Sequence, residues 1–333
     1  MAYSHPIHEA NKNSPYGDLT REEFHKKHQI LHKQSFMFND DYMKIFTQSW
    51  QPSDSTSKLK GIVAMIHGYC FESSWLFELN AAAIAKSGYF VCALDLPGHG
   101  YSEGKPGIVS DFQSLVSDSI LFFDSVRKEH PKLPAFLYGE SMGGSISIFI
   151  CSRQKNVWNG LILCGPMCGV LRNMLPIWPM EKVLLPVASC IAPTWKISST
   201  KSLATEIIKV GWKKKLAAKT PNPATKAMIP LPAITSQAIM KSVACIQKRC
   251  HELVVPLLVL HGGDDRICDP QSSKFVLESA ASKDKSLKIF PGMWHGLMGE
   301  PNESVELVFE MIISWIEMRA KMVEMNHMLR SSL

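Results

Sequence analysis

The sequence predicts an α/β domain in which a mostly parallel central sheet has helices on both faces and a mainly helical cap is inserted into it. Three observations predict this class. Continuous apolar runs recur along the chain, segments with helical periodicity lie between them, and one long proline-rich interval interrupts the alternation. Because uninterrupted apolar runs are typical of strands covered on both faces, we expect a parallel sheet between layers of helices.

The predicted elements follow one another in a regular order. Residues 1–33 form a polar leader ending in a short helix, and residues 35–50 form a hairpin of two β-rich runs around an Asn/Asp turn. Apolar runs then predict strands at 61–68, 89–96, 134–139, 160–166, 256–262 and 286–290. Helical patterns lie near 76–87, 111–129, 142–153, 234–250, 271–282 and 304–325.

Residues 167–232 interrupt this alternation of predicted strands and helices. This interval is rich in proline, and its stretch 174–195 is also rich in methionine, leucine and tryptophan, yet it contains no clean strand–helix unit. We interpret it as a cap domain. The alternative is an ordinary helical segment that belongs to the core. The core is then divided into a first part, 34–166, and a second part, 233–333.

Composition and charge exclude several classes of partner. The chain is 46% hydrophobic and 20% charged, which is ordinary for a globular protein, and its formal charge of +6 is mild for 333 residues. Apart from residues 211–219 the lysines are scattered, and no basic stripe alternates with aromatic residues, so nucleic-acid binding has little support. We expect that lysine cluster to be a solvated helix face. We expect the leader histidines to be solvated as well: His5, His8, His25, His28 and His32.

The cysteines and the N-terminal sequence favour a cytoplasmic location. Nine cysteines are an odd number, they show no CxxC spacing, and several lie within apolar runs, so we expect reduced, structural thiols. The first residues have no apolar signal-peptide core. No stretch reaches the length of about 18 uncharged apolar residues that is usual for crossing a bilayer.

Residues 136–145, "FLYGESMGGS", contain the first chemical signal. Gly139 and Gly143 lie two positions on either side of Ser141, directly after an apolar run and before a helical pattern rich in small residues. A G-x-S-x-G sequence between a strand and a helix is typical of a nucleophile elbow, a turn so sharp that flanking side chains would collide. The pattern predicts Ser141 at the carboxyl end of a sheet strand, where ligands gather in such sheets.

A serine hydroxyl needs a base to take its proton and a carboxylate to orient that base. In this architecture the chain order is Ser, acid, His, and the loops after the last two strands supply the candidates. His295 is the expected base and Asp265 the expected acid. Asp264 and Asp269 are competing acids that spacing alone does not eliminate.

An ester-cleaving serine also needs amide donors for the oxyanion of its tetrahedral intermediate. The N–H of Met142, directly after the serine, is one expected donor. The other is the N–H of Tyr69, in the His-Gly-Tyr sequence at the end of an early strand. His67 in the same loop is expected to be structural.

Several motifs give the chain a resemblance to the monoacylglycerol lipase-like serine hydrolases of the α/β-hydrolase fold, in particular to the plant branch that includes caffeoylshikimate esterase. The resemblance covers about residues 20–320 and is weakest in the cap. It implies the α/β-hydrolase fold, Ser141 as nucleophile, Asp265 as acid, His295 as base, and a cap over the site. It also implies hydrolysis of carboxylic esters without a cofactor or metal. The matching segments are "HGY" (67–69), "LDLPGHGYSEG" (94–104), "GESMGGS" (139–145), "CGPMC" (164–168), "LLVLHGGDDRICDP" (257–270), "WHGLMGEP" (294–301) and "IISWI" (312–316).

The substrate is expected to be a small-molecule ester with an apolar or aromatic acyl group, either a monoacylglycerol or lysolipid, or a hydroxycinnamoyl ester. A phenolic acyl group would need a polar partner that the sequence does not identify. Cys268, three residues past Asp265, is expected near the pocket, as an inert packed thiol or a regulatory one. The apolar cap is also a candidate for transient membrane contact. The cap residues that could line the pocket, or could instead form the cap's own core, are Met174, Leu175, Trp178 and Trp195.

Other functions on the same fold are a ligand receptor, a lyase of specialised metabolism and an acyltransferase. The complete Ser/Asp/His set argues against an inert receptor, because a binding pocket does not need all three. His261 and Asp265 fit the H-x-x-x-D pattern of some acyltransferases, but the pattern is short and Asp265 already has an expected role.

Overall fold

Eight strands pair into one sheet within the described residues, which in this computed structural model are 4–54, 56, 58–171, 184–196, 206–222 and 231–331. The spatial order is β1-β2-β4-β3-β5-β6-β7-β8. Strand β2 is antiparallel to β1 and β4, and every other pairing is parallel, which confirms the predicted mostly parallel α/β sheet. The strands are β1 (Ile30–Phe38), β2 (Lys44–Pro52), β3 (Ile62–Ile66), β4 (Phe90–Leu94), β5 (Ala135–Glu140), β6 (Gly160–Cys164), β7 (Leu257–Gly262) and β8 (Lys285–Phe290).

Helices follow most of the strands, close to the segments predicted for them. The last one is longer at both ends than its apolar pattern indicated. In the described residues the α-helices are α1 (Arg21–Lys27), α2 (Trp75–Lys86), α3 (Phe112–Glu129), α4 (Met142–Arg153), α5 (Leu185–Ile191), α6 (Gly211–Ala217), α7 (Ala233–Arg249), α8 (Pro270–Ser279) and α9 (Asn302–Ser331).

The core lies on both faces of the sheet. Alternate residues of β3 face opposite sides: Ile62 and Ile66 pack in a cluster with α3, α4 and α7, whereas Val63 and Met65 pack in a second cluster with α2 and α9. Side chains of a strand alternate between the two faces, so both sets are apolar when helices cover both. This double burial explains the unbroken apolar runs in the sequence.

The N-terminal segment packs on the core. Of its five histidines His8 is exposed, as predicted, but the prediction of solvation is wrong for the buried ones. His5, His25 and His28 are all buried, and strand β1 already begins at Ile30. The side chain of His25 contacts the buried carboxylate of Glu78 in α2, with its Nε2 2.9 Å from Oε1. A polar composition suggested solvation because the partner lies 53 residues away in the sequence.

The lysine cluster 211–219 also departs from its prediction at one position. Lys213 in α6 is fully buried, and its Nζ donates to the carbonyl oxygens of Met298 (3.0 Å) and Glu300 (2.6 Å). Lys215 is exposed, as expected for a solvated face. The domain boundaries, including the cap at 167–232, remain predictions.

Candidate active site

Ser141 lies in a strained turn between β5 and α4. Its backbone has φ 52° and ψ −117°, a conformation that residues with a side chain rarely adopt. A Cβ at Gly143 would lie 2.2 Å from the carbonyl oxygen of Ile66, and one at Gly139 would lie 2.6 Å from that of Gly143. Both approaches are too close for a real side chain, so the turn requires glycine at these two positions.

The structure brings the expected base and acid to this serine. His295 lies in the loop after β8, and its Nε2 is 2.9 Å from Oγ of Ser141. Its Nδ1 is 2.7 Å from Oδ2 of Asp265, in the loop after β7. The other carboxylate oxygen of Asp265 accepts the backbone N–H groups of Ile267 (2.7 Å) and Cys268 (2.9 Å). A single imidazole therefore bridges the hydroxyl and the carboxylate.

The two competing acids, Asp264 and Asp269, are not hydrogen-bonded to His295 in the structure. Asp264 is exposed, and Asp269 is the N-cap of α8, where its side chain accepts the N–H of Gln271 at 2.9 Å. Geometry thus favours Asp265 among the three carboxylates.

A second histidine supports the acid. His261, at the end of β7, is fully buried, with its Nε2 2.9 Å from Oδ2 of Asp265 and its Nδ1 2.7 Å from Oγ of Ser273. A carboxylate only accepts, so His261 donates from Nε2 and accepts the Ser273 hydroxyl at Nδ1. Sequence reasoning missed this contact, although a histidine four residues before the acid at the end of a buried strand was the available signal.

The charges around His295 favour its acceptance of a proton. Burial acts to lower the pKa of His295, but the adjacent Asp265 carboxylate outweighs it and raises the pKa well above its usual value. Burial likewise acts to raise the pKa of Asp265, whereas His295 and the hydrogen bond from His261 hold it well below its usual range. The Asp265 carboxylate therefore stabilises the imidazolium that forms when His295 takes a proton.

Both expected oxyanion donors belong to segments that adjoin Ser141. Met142 is the first residue of α4, so its N–H has no partner within the helix. Tyr69 follows Gly68, where an added Cβ would lie 3.1 Å from Cβ of Ser141. Both ring nitrogens of His67 are hydrogen-bonded to backbone groups. Nε2 accepts the N–H of Leu96 at 3.0 Å, and Nδ1 donates to the Gly68 carbonyl at 2.8 Å. Burial lowers the pKa of His67 to about 4.

The expected pocket residues divide into three groups. Cys268 is fully buried, and its Sγ lies within 4.8 Å of ligand atoms of both Asp265 and His295. Trp195 is 63% exposed and does not line the cavity at Ser141. Met174, Leu175 and Trp178 lie outside the described residues.

A small cavity of about 50 Å³ opens at Ser141. Apolar side chains form much of its wall, including Phe71, Phe77 and Leu297, and the polar side chains of Asn80 and Glu140 also contribute. No sequence pattern predicted that these two polar residues would line the cavity, because Asn80 is an ordinary helix residue and Glu140 an ordinary residue at a strand end.

The sheet topology and the strained serine after β5 define the class of protein as an α/β-hydrolase. Comparison with known sequences then gives the family. Residues 57–302 match the Hydrolase_4 family, described as serine aminopeptidase, S33, and the chain belongs to this family. At the level at which its relatives agree, it is a carboxylic ester hydrolase.

Three relatives illustrate the similarity. The chain is 32% identical to caffeoylshikimate esterase of Arabidopsis thaliana over 92% of this chain and 91% of that protein. It is 30% identical to monoglyceride lipase of Homo sapiens over 85% of this chain and 90% of that protein. A soluble variant of monoglyceride lipase from Saccharomyces cerevisiae, solved with a substrate analog, superposes with a TM-score of 0.73 at 22% identity and shares the fold. That match covers 86% of this chain and 95% of the yeast chain.

Proposed function

We propose that this chain hydrolyses carboxylic esters through a covalent acyl-enzyme on Ser141. The observation that carries the proposal is the imidazole of His295, held between Oγ of Ser141 at 2.9 Å and Oδ2 of Asp265 at 2.7 Å. Serine becomes nucleophilic when such a base removes its proton and a carboxylate fixes the base.

The reaction has two halves. Oγ of Ser141 bonds to the ester carbonyl carbon while its proton passes to Nε2 of His295, and the amides of Tyr69 and Met142 bind the oxyanion. The intermediate collapses as the ester C–O bond breaks, and the alcohol leaves with the proton from His295. Water then attacks the acyl-enzyme, its proton passes to His295, and the carboxylic acid leaves as the serine regains a proton.

The proposed substrates have an apolar or aromatic acyl group. Apolar walls at the cavity beside Ser141 support this class, as do relatives named for monoglycerides and for caffeoylshikimate. Monoacylglycerols or lysolipids and hydroxycinnamoyl esters are therefore the two candidate groups. Met174, Leu175 and Trp178 remain predicted wall residues of the cap.

We also propose that the cap contacts membranes transiently. Leu184 at the N-cap of α5 and Val187 and Ile191 within the helix recur at the spacing of one helix face and are 50%, 50% and 80% exposed. No helix in the described ranges is long and apolar enough to cross a bilayer, so the proposed contact is with the membrane surface.

The test is a hydrolysis panel with the wild type and Ser141→Ala. The wild type should cleave a monoacylglycerol, a lysophospholipid or a caffeoyl ester, and the variant should lose that turnover while its unfolding curve stays unchanged. Exposed Ser125 on α3 provides the matched control, since Ser125→Ala should retain activity. Undiminished hydrolysis by Ser141→Ala would refute the assignment, and a dominant transacylated product with an acceptor alcohol would refute hydrolysis.

A further inference from the structure

The cavity at Ser141 has a polar end built from two neighbouring elements. Asn80 comes from α2, and Glu140 is the last residue of β5, directly before the serine. Nδ2 of Asn80 donates to Oε1 of Glu140 at 2.8 Å, and the hydroxyl of buried Tyr138 donates to the same oxygen. The contacts fix both side chains against the catalytic cavity.

These contacts also fix which way the amide of Asn80 points. A carboxylate only accepts hydrogen bonds, so the NH₂ group must face Glu140 and the carbonyl oxygen Oδ1 must face away from it. Asn80 is fully buried, yet this Oδ1 has no hydrogen-bond partner among the described residues. Buried acceptors are nearly always paired, so an orphan acceptor in the wall of a catalytic cavity points to a donor on the ligand.

Glu140 offers a second acceptor. Both of its side-chain hydrogen bonds end on Oε1, and the residue is only partly buried where it lines the cavity. Burial raises the pKa of Glu140, whereas the hydrogen bonds from Tyr138 and Asn80 act in the opposite direction by stabilising the carboxylate. The polar end therefore presents two acceptors to the same cavity, Oδ1 of Asn80 and Oε2 of Glu140.

A ligand that complements two acceptors in one small cavity carries two neighbouring O–H donors. We propose that Asn80 and Glu140 form a binding site for a vicinal diol of the ester substrate. The proposal rests on the proposed ester hydrolysis and supplies the polar partner that the sequence did not identify.

A vicinal diol can come from the glyceryl group of a monoacylglycerol or from the catechol ring of a caffeoyl ester. The cavity measures about 50 Å³. On this measure one water needs roughly 10–15 Å³, so the cavity has room for a group the size of a few waters. That size fits the glyceryl carbons and hydroxyls more closely than an aromatic ring.

Two pairs of esters separate the two sources. The first pair is a 1-monoacylglycerol and the methyl ester of the same fatty acid, and the second is methyl caffeate and methyl cinnamate. The quantity measured is the ratio of kcat/KM for the diol-bearing ester to that for the diol-free ester, because this ratio cancels general damage to the catalytic serine. The variants are Asn80→Leu and Glu140→Gln, with Glu129→Gln at an exposed position of α3 as the matched control.

We expect the ratio to fall about 10- to 100-fold in both cavity variants for one ester pair, the loss typical of a removed hydrogen bond to a charged or buried partner. The control should leave the ratio unchanged. A fall in the monoacylglycerol pair identifies the glyceryl diol, and a fall in the caffeate pair identifies the catechol. An unchanged ratio in both pairs would overturn the proposal.

Binding to Ser141→Ala keeps the test independent of turnover and of the proposed function. Adding Asn80→Leu to this background should raise the Kd of the diol-bearing ester about tenfold or more, with little change for its diol-free partner. Equal Kd values with and without Asn80→Leu would overturn the diol site even if ester hydrolysis holds. A wild type that cleaves none of the four esters would refute the hydrolysis while leaving this binding result to decide the site.

Discussion

Replacing Glu78 with glutamine should destabilise the protein by about 3 kcal/mol. The carboxylate of Glu78 in α2 is fully buried and receives hydrogen bonds from Tyr16, Arg21, His25 and Trp50, the last at 3.0 Å from Nε1 to Oε1. Three of these four partners belong to the N-terminal segment. The carboxylate therefore fastens that segment to the core, and an amide of the same size would turn an NH₂ group toward donors.

Two arguments give this loss of about 3 kcal/mol in the free energy of unfolding. Burial acts to raise the pKa of Glu78, but the hydrogen bond from His25 and the charge of Arg21 lower it to about 2 from the usual 4.5. The difference corresponds to about 3 kcal/mol of stabilisation of the folded state. Removing one partner from a buried ion pair costs about 3–5 kcal/mol in other proteins, in agreement. Because the pKa is depressed, the contribution is complete above pH 4.5 and is lost as the pH falls toward 2.

The assay is urea unfolding at pH 7 of the wild type, Glu78→Gln and Glu22→Gln. Glu22 lies exposed in the first turn of α1, so its variant should lose less than about 1 kcal/mol. A similarly small loss in Glu78→Gln would refute the reasoning. So would a difference in unfolding free energy between wild type and Glu78→Gln that widens, instead of narrowing, as the pH falls from 4.5 toward 2.

The remaining predictions concern the site and the cap. Asp265→Asn should lower kcat by about 10³- to 10⁴-fold and Asp264→Asn only slightly, as measured with a chromogenic ester; the reverse order would identify a different acid. Activity should fall as the pH is lowered, with a midpoint above 6.5, because protonated His295 cannot take the serine proton and its pKa is raised; a pH-independent kcat/KM between 5 and 9 would contradict this. Ile191→Asp should weaken flotation with liposomes without changing hydrolysis of a water-soluble ester, and equal flotation of variant and wild type would exclude α5 from membrane contact.

Local patterns sufficed to predict the sheet and the serine turn. The central strands lie within or beside the apolar runs because they are buried on both faces, and the turn at Ser141 is recognisable because two close backbone approaches require Gly139 and Gly143. The bridging position of His295 was also foreseeable, since carboxyl ends of parallel strands meet at one sheet edge. Such features depend on neighbours in the sequence or on the general geometry of the fold.

Features that depend on one distant partner could not be predicted. We predicted a solvated His25 because nothing near it in the sequence indicates its contact with Glu78. Lys213 resembles the surface lysines beside it in the sequence, but in the structure its Nζ donates to carbonyl oxygens of the segment that follows His295. Asn80 is likewise an ordinary helix residue until the chain folds it against Glu140. In each case a polar group is buried by a contact between segments far apart in the chain.

Covalent labelling with a fluorophosphonate, followed by mass spectrometry of the digested protein, tests most directly whether His295 and Asp265 make the hydroxyl at 141 reactive. The wild type should carry one phosphonate on the peptide that contains Ser141, Ser141→Ala should carry none, and His295→Ala should react at least about 10³-fold more slowly. Labelling of Ser141→Ala at the wild-type rate, or of His295→Ala as fast as the wild type, would contradict the proposed chemistry.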